Sequence, residues 1–299
     1  MPFLIRAAGW CLSILAVHHV MFLSIQTPRK SNLKRLQGKY GRAKQLTTRA
    51  DGAPAIVLQS EKKILTAGPT LACKSVQDWL HARCNGYRGM HVPRNPTWGD
   101  VQRHVDALAL YGILGSEEAV HEDVQVANRE DPNQSIEANL SESVQRLVVP
   151  LLNCCMPDKL VQQIQTDAQH VGVIVANMLP TAEKLTLKLE VMGENVCKRW
   201  HRDHYVARAI ITYNGRGTEM LRHDNVNFGE LENRGSNSHI VCDGSQIFTA
   251  GTGDILFMKG VTFPGDVNGL VHKSPDKRYH ANGKLMNRLI LKIDVKKLS

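Results

Sequence analysis

The chain is short of several things that would have assigned it quickly. No Asp or Glu precedes Asp51, although nine Lys and Arg residues occur in the first 50 positions. Those nine account for the whole excess of base, because 28 Lys and Arg face 28 Asp and Glu over residues 51–299. The net charge of +9 is therefore a property of the leader, and a basic stripe for nucleic acid is not expected on the body. The seven cysteines are odd in number and form no C-x-x-C pair, which argues against both a secreted disulfide framework and a zinc ribbon. Adjacent Cys154 and Cys155 are expected to be small core residues of a helix. Gly215 with Gly217 and Gly251 with Gly253 read as turns; none precedes a helix as a phosphate-binding loop must. No internal repeat occurs, nor any low-complexity block beyond the leader.

The leader itself is apolar over residues 3–25, but Arg6, His18 and His19 interrupt it. No uninterrupted run approaches the ~20 residues that span a bilayer, so no stable membrane span is expected in the mature chain. A signal peptide fits the early Arg and the apolar run at 11–17. An organelle transit peptide fits the acid-free, basic and hydroxylated second part. Residues 1–52 are accordingly expected to be a targeting leader, directed to a plastid or mitochondrion with the secretory pathway as the alternative.

What is present divides by periodicity. Apolar residues recur every three to four positions over 75–114, with a Gly/Pro/Asn-rich loop at 85–100 in between. Residues 117–135 are polar and read as a surface loop. A helix is predicted over 136–152, with Val144, Leu147, Val148 and Leu151 on one face, and another from Pro157 to just before Pro180. The period then drops to two: Leu185, Leu187, Leu189 and Val191 alternate with Thr186, Lys188, Glu190 and Met192, as in a half-buried strand. Further strands are expected at 206–213, 247–248, 254–258 and 289–295. The fold class is α+β, with a mainly helical region at 53–180 followed by an all-β region at 181–299.

Three segments of the β region carry chemistry. In Cys197-Lys-Arg-Trp-His201-Arg-Asp203-His204, an extended backbone puts His201 and Asp203 on one face and His204 on the other. Gly269-Leu-Val-His272-Lys-Ser-Pro275 places a second imidazole at a strand end before a turn. Arg288 heads the last strand. Two imidazoles and a carboxylate on one side of an ion form the facial triad of non-haem Fe(II) oxygenases, which leaves positions open for substrate and oxygen. Cys197, four residues before His201, offers a soft ligand that would favour zinc, against the plainer reading of a small buried residue.

The order H-x-D, distant His, then Arg resembles the 2-oxoglutarate-dependent oxygenases. The resemblance implies a double-stranded β-helix of jelly-roll or cupin-like form, iron on His201, Asp203 and His272, and Arg288 pairing with the distal carboxylate of 2-oxoglutarate. Tyr213, ending the strand after H-x-D, is a second candidate to hydrogen-bond that acid. Two features depart from the pattern: Ile290 stands where Ser or Thr often lies, and 276–287 is a long polar loop.

The joined motifs are more specific. They are Leu187-Lys-Leu-Glu190, the Cys197–Asp203 segment, Arg208-Ala-Ile-Ile-Thr-Tyr213-Asn-Gly-Arg-Gly217-Thr218, Gly253-Asp-Ile-Leu-Phe-Met-Lys259-Gly260, Pro264-Gly265 and the His272 segment. Together they resemble the domain-of-unknown-function family numbered 1826 over roughly residues 136–296. That resemblance implies a fold and a site but no reaction. Three functions stay open at this point: an Fe(II)-dependent oxygenase acting on a small-molecule or protein substrate, with or without 2-oxoglutarate as co-substrate; a non-catalytic or zinc-binding β-helix protein linked to metal homeostasis; or an interaction scaffold whose site has degenerated.

Overall fold

The structure is a computed structural model that describes residues 68–82, 86–115, 119–126, 135–194, 196–265 and 268–298. The leader at 1–52 lies outside the described residues. So do Cys84 and the polar stretch at 127–134. Residues 62–299 form one compact unit.

In chain order the elements are β1 (Leu71–Ala72), α1 (Asp78–Ala82), β2 (Gly89–Val92), α2 (Gln102–Leu110) and β3 (Val120–Gln125). The long helices α3 (Ile136–Leu152) and α4 (Asp158–Met178) follow, then β4 (Lys184–Met192), β5 (Ala207–Thr212) and β6 (Glu219–Met220). Two short helices, α5 (Phe228–Glu232) and α6 (Asn237–Ile240), lead to β7 (Phe248–Thr249), β8 (Ile255–Lys259), β9 (His272–Lys273) and β10 (Arg288–Val295). The protein is thus a mixture of α and β built on a large sheet. Seven strands run in the order β1-β2-β8-β5-β10-β4-β3, and a second sheet has the order β7-β6-β9.

The helix ends follow local chemistry. The Ser135 side chain accepts from the Ala138 amide at the start of α3, satisfying one of the free N–H groups there. Asp158 places negative charge in the first turn of α4, and Leu179 ends that helix immediately before Pro180. The two helices pack closely at Gly172, where an added Cβ would meet Leu140 Cδ2 at 2.8 Å.

Alternation along the strands then builds two layers. Leu185, Leu187, Leu189 and Val191 of β4, Ala209 and Ile211 of β5, and Leu289, Leu291, Ile293 and Val295 of β10 are buried in a core shared with α3 and α4. The opposite face carries Ile210, Leu256, Met258 and Ile290, which meet Met220 and Phe248 of the small sheet in a second core. β4 was expected to be half buried. It is buried on both sides except at exposed Lys184 and half-buried Lys188 and Met192, because the polar face is also covered: Thr186 donates to Asp123, and Glu190 pairs with Lys188 and Lys292.

The front half differs from expectation. Residues 75–114 contain two short helices with β2 between them, and the polar stretch after 117 contains β3. All three front strands join the large sheet: β2 pairs with β8, β1 with β2, and β3 with β4. The large sheet therefore draws strands from both sides of residue 180. Cys154 and Cys155 also differ: they lie in the turn after α3, half-buried and exposed respectively, and Cys155 has φ +51. Among the described residues no helix is long and apolar enough to cross a membrane.

Candidate metal centre

The site begins with one backbone pairing. His201 and His272 exchange two hydrogen bonds, each amide donating to the other's carbonyl at 3.0 Å, in an isolated antiparallel bridge. Residues opposed in this way project their side chains to the same side, and the two rings lie 4.4 Å apart between centroids. Below them, Trp200, Leu221, Val226, Leu231, Ile240 and Val271 form a third small core under α5 and α6. That core holds the two segments against each other without using the imidazoles.

Asp203 is fixed separately. Its carbonyl accepts from the Val261 amide at 3.0 Å, and Gly260 donates to the Val206 carbonyl at 2.9 Å. The two segments run so close here that a Cβ on Gly260 would overlap the Tyr205 carbonyl, so only glycine fits. The Asp203 carboxylate then reaches both rings: Oδ1 lies 3.7 Å from His201 Nε2, and Oδ2 lies 3.7 Å from His272 Nε2. One ligand atom from each of the three residues can be chosen so that all lie within 4.8 Å of one another. The spacing of His201 and Asp203 predicted a common side, and the structure brings the distant His272 to it.

Their hydrogen bonds orient the two rings. His201 Nδ1 lies 2.8 Å from the Arg199 carbonyl, and His272 Nδ1 lies 3.0 Å from the Leu270 carbonyl. A carbonyl only accepts, so each Nδ1 carries a proton, and it is Nε2 of each ring that faces the carboxylate. Burial pushes the His272 imidazole down to about 4, against the pull of Asp203. Burial alone would raise the Asp203 carboxyl; His272, Arg208 and His201 around it outweigh burial and hold it below its ordinary value. A ligating imidazole must be neutral and a ligating carboxylate ionised, and the shifts of His272 and Asp203 run in those directions.

The remaining sequence candidates fall in different places. Cys197 Sγ is 3.5 Å from His201 Nδ1, on the side of the ring away from Asp203, and the thiol is exposed rather than buried. It stands outside the group of three. His204 is exposed, as its parity implied. Tyr213 is fully buried on the helical face of the sheet, where its hydroxyl donates to Asp167 Oδ2 at 2.8 Å. It is not brought to the cluster. Arg288 shares the opposite face with Ile290, Lys292 and Asp294, the face that also carries Arg208. Its Nη1 donates to the Arg216 carbonyl at 3.0 Å, while Nη2 is enclosed without a hydrogen-bond partner. Burial lowers this guanidinium to about 10, although Glu190 and Glu219 pull it upward. Met192, Val196, Leu285 and Met286 help to wall a narrow recess beside it.

Two further residues of the joined motifs take places that spacing does not show. Arg208 forks onto Asp294 and also donates to Asp203. Lys259 is buried with its ammonium 4.9 Å from the centre of the Phe263 ring. Only the strand alignment, which sets Arg208 opposite Asp294, could have signalled the first.

Several solved structures are similar to this chain at low identity. A full-length Neurospora crassa protein in complex with alpha-KG is 11% identical with a TM-score of 0.33, over 75% of this chain and 78% of that one. A putative oxygenase from Shewanella oneidensis is 13% identical with a TM-score of 0.33, over 77% and 90% of the two chains. The Fe(II)/(alpha)ketoglutarate-dependent dioxygenase TqaL is 12% identical with a TM-score of 0.34, over 75% and 86%. No curated protein matches the chain. The profile of the family described as "Protein of unknown function (DUF1826)" matches residues 116–294, more than half of the sequence, and the chain belongs to that family.

Proposed function

We propose that this protein is a non-haem Fe(II)-dependent oxygenase, with 2-oxoglutarate as co-substrate, built on a double-stranded β-helix. His201, Asp203 and His272 would hold the iron. The observation that carries this reading is the convergence of two imidazole Nε2 atoms on one carboxylate, with each Nδ1 held by a backbone carbonyl. A two-nitrogen, one-oxygen set suits Fe(II), and the absence of sulfur from it removes the main argument for a thiolate-bound zinc. Bound iron would supply the activation of dioxygen for hydroxylation of a substrate.

The fit to the co-substrate rests on Arg288. A guanidinium N–H enclosed without an acceptor is costly, and a carboxylate would satisfy it bidentately. Arg288 would anchor the distal carboxylate of 2-oxoglutarate, while Met192, Val196 and Leu285 exclude water from its chain. The carbonyls of Arg199 and Leu270 keep the two rings from turning.

The test is metal analysis of protein purified without oxygen, followed by a succinate-release assay against a substrate screen. Near-stoichiometric iron, absent from the His272→Ala variant, together with 2-oxoglutarate-dependent succinate, is the expected result. Folded protein that binds no iron and turns over no 2-oxoglutarate overturns the proposal; stoichiometric zinc with no turnover would favour the metal-homeostasis alternative.

A further inference from the structure

One feature of the centre is not needed to place three ligands. Arg208 projects from β5 and is aligned with Asp294 of β10. Its Nε donates to Asp294 Oδ1 at 2.6 Å and its Nη2 to Asp294 Oδ2 at 3.0 Å. These two bonds fix the plane of the guanidinium, leaving Nη1 aimed in one direction. That N–H meets Asp203 Oδ2 at 3.1 Å. The guanidinium also lies over the Tyr205 ring, 4.8 Å from its centre, and the Arg208 and Asp203 side chains are each 14% exposed. The contact is therefore a directed, partly desolvated hydrogen bond rather than a loose surface pair.

We propose that Arg208 is a positioning residue that reserves one oxygen of Asp203, so that the carboxylate offers a bound cation only its other oxygen. An unrestrained carboxylate can close onto a metal through both oxygens, which removes a position otherwise open for substrate or dioxygen. Each oxygen faces one ring, Oδ1 at 3.7 Å from His201 Nε2 and Oδ2 at 3.7 Å from His272 Nε2, so it is the bond from Nη1 to Oδ2 that distinguishes them and leaves Oδ1 to the cation. Asp294 acts through Arg208: its carboxylate takes the other two guanidinium bonds, and the pairing of β5 with β10 sets where it stands. This inference rests on the metal reading above and adds to it a reason for the buried ion pair next to the site.

Mn(II) is a suitable probe, because water-proton relaxation counts the waters on a bound ion without catalysis. In an octahedral site the full-length chain should retain about three waters. Replacing Arg208→Met together with Asp294→Asn avoids leaving a buried Asp294 carboxylate unpaired, and the bound ion itself pairs with Asp203. That variant should retain about two waters and bind Mn(II) roughly threefold more tightly, because its net charge is unchanged but the positive charge it loses touched Asp203 directly. Arg208→Lys keeps the charge but not the fork. It should also drop to about two waters, with a Kd within roughly threefold of the parent, a result that a merely structural role would not produce. Parent-like water counts in both variants overturn the inference while leaving the metal reading intact, provided that His272→Ala still abolishes binding. A parent protein that binds no Mn(II) overturns both.

Discussion

At the scale of residues, the site separates groups that hold position from groups left free to act. Tyr213 and Arg288 make the contrast sharply. The Tyr213 hydroxyl is committed to Asp167, which also accepts from Arg94 and Gln163. Tyr213→Phe should cost about 1 kcal/mol of stability, seen as a shift in the urea midpoint, and leave metal content unchanged. A loss of metal would place the hydroxyl at the site after all. Arg288 has an N–H enclosed with no acceptor. Arg288→Lys keeps a cation but loses the planar fork, so 2-oxoglutarate affinity should fall roughly 10- to 100-fold, with iron content unaltered. Titration of the loaded, oxygen-free protein with 2-oxoglutarate measures this, and equal affinity in the two proteins rules the arginine out as the anchor. Part of this site was legible in the sequence. Parity alone joins His201 to Asp203, since strand side chains repeat every two residues. His272 is joined to them by a backbone pairing 71 positions away, which periodicity does not encode. Arg208 was harder still, because its partners sit five and 86 positions away.

Elements show the same division between local and distant causes. α3 begins and ends where the sequence pattern predicted, and α4 starts after Pro157 and stops before Pro180, because caps, charges and prolines act within a turn. β4 and β10 were legible from their alternation. The front strands were not. β1 has two residues and β2 four, too short to display a period, and β3 is an edge strand in which only Val124 is buried. What places β2 is a polar latch beyond its end. Arg94 grips Asp167 of α4 through both terminal nitrogens, and its own amide donates to Asp254 Oδ1 at 3.0 Å. His91 Nε2 lies 2.7 Å from the other oxygen of Asp254, and Trp98 Nε1 donates to the Tyr213 carbonyl at 2.9 Å. Arg94→Ala would strip the buried Asp167 of its cation, at a cost of roughly 2–4 kcal/mol. Chemical denaturation should show that loss while iron binding persists, since the latch meets the helical face of the sheet and the histidines lie elsewhere. A variant as stable as the parent would mean the latch contributes nothing to holding β2.

For the molecule as a whole, the decisive fact is that all three proposed ligands lie after residue 200 but the sheet supporting them does not. β2 flanks β8 on one side of the large sheet and β3 flanks β4 on the other, and both come from before residue 126. The helices that cover the sheet also precede residue 180. Eight side chains of β4 and β10 point into that helical layer: Leu185, Leu187, Leu189, Val191, Leu289, Leu291, Ile293 and Val295. At roughly 2 kcal/mol for each buried aliphatic side chain, uncovering them forfeits on the order of 15 kcal/mol, as much as a typical domain has in total. A fragment comprising residues 181–299 should therefore fail to fold although it holds His201, Asp203, His272, Arg208 and Arg288. Residues 62–299, the compact unit, should unfold in one cooperative transition monitored by circular dichroism and tryptophan fluorescence together. The short fragment should show no transition and bind no Mn(II), because its ligands converge only when the sheet is complete. Cooperative unfolding of residues 181–299 with metal bound would show instead that the β region stands alone and that the helices are an addition to it.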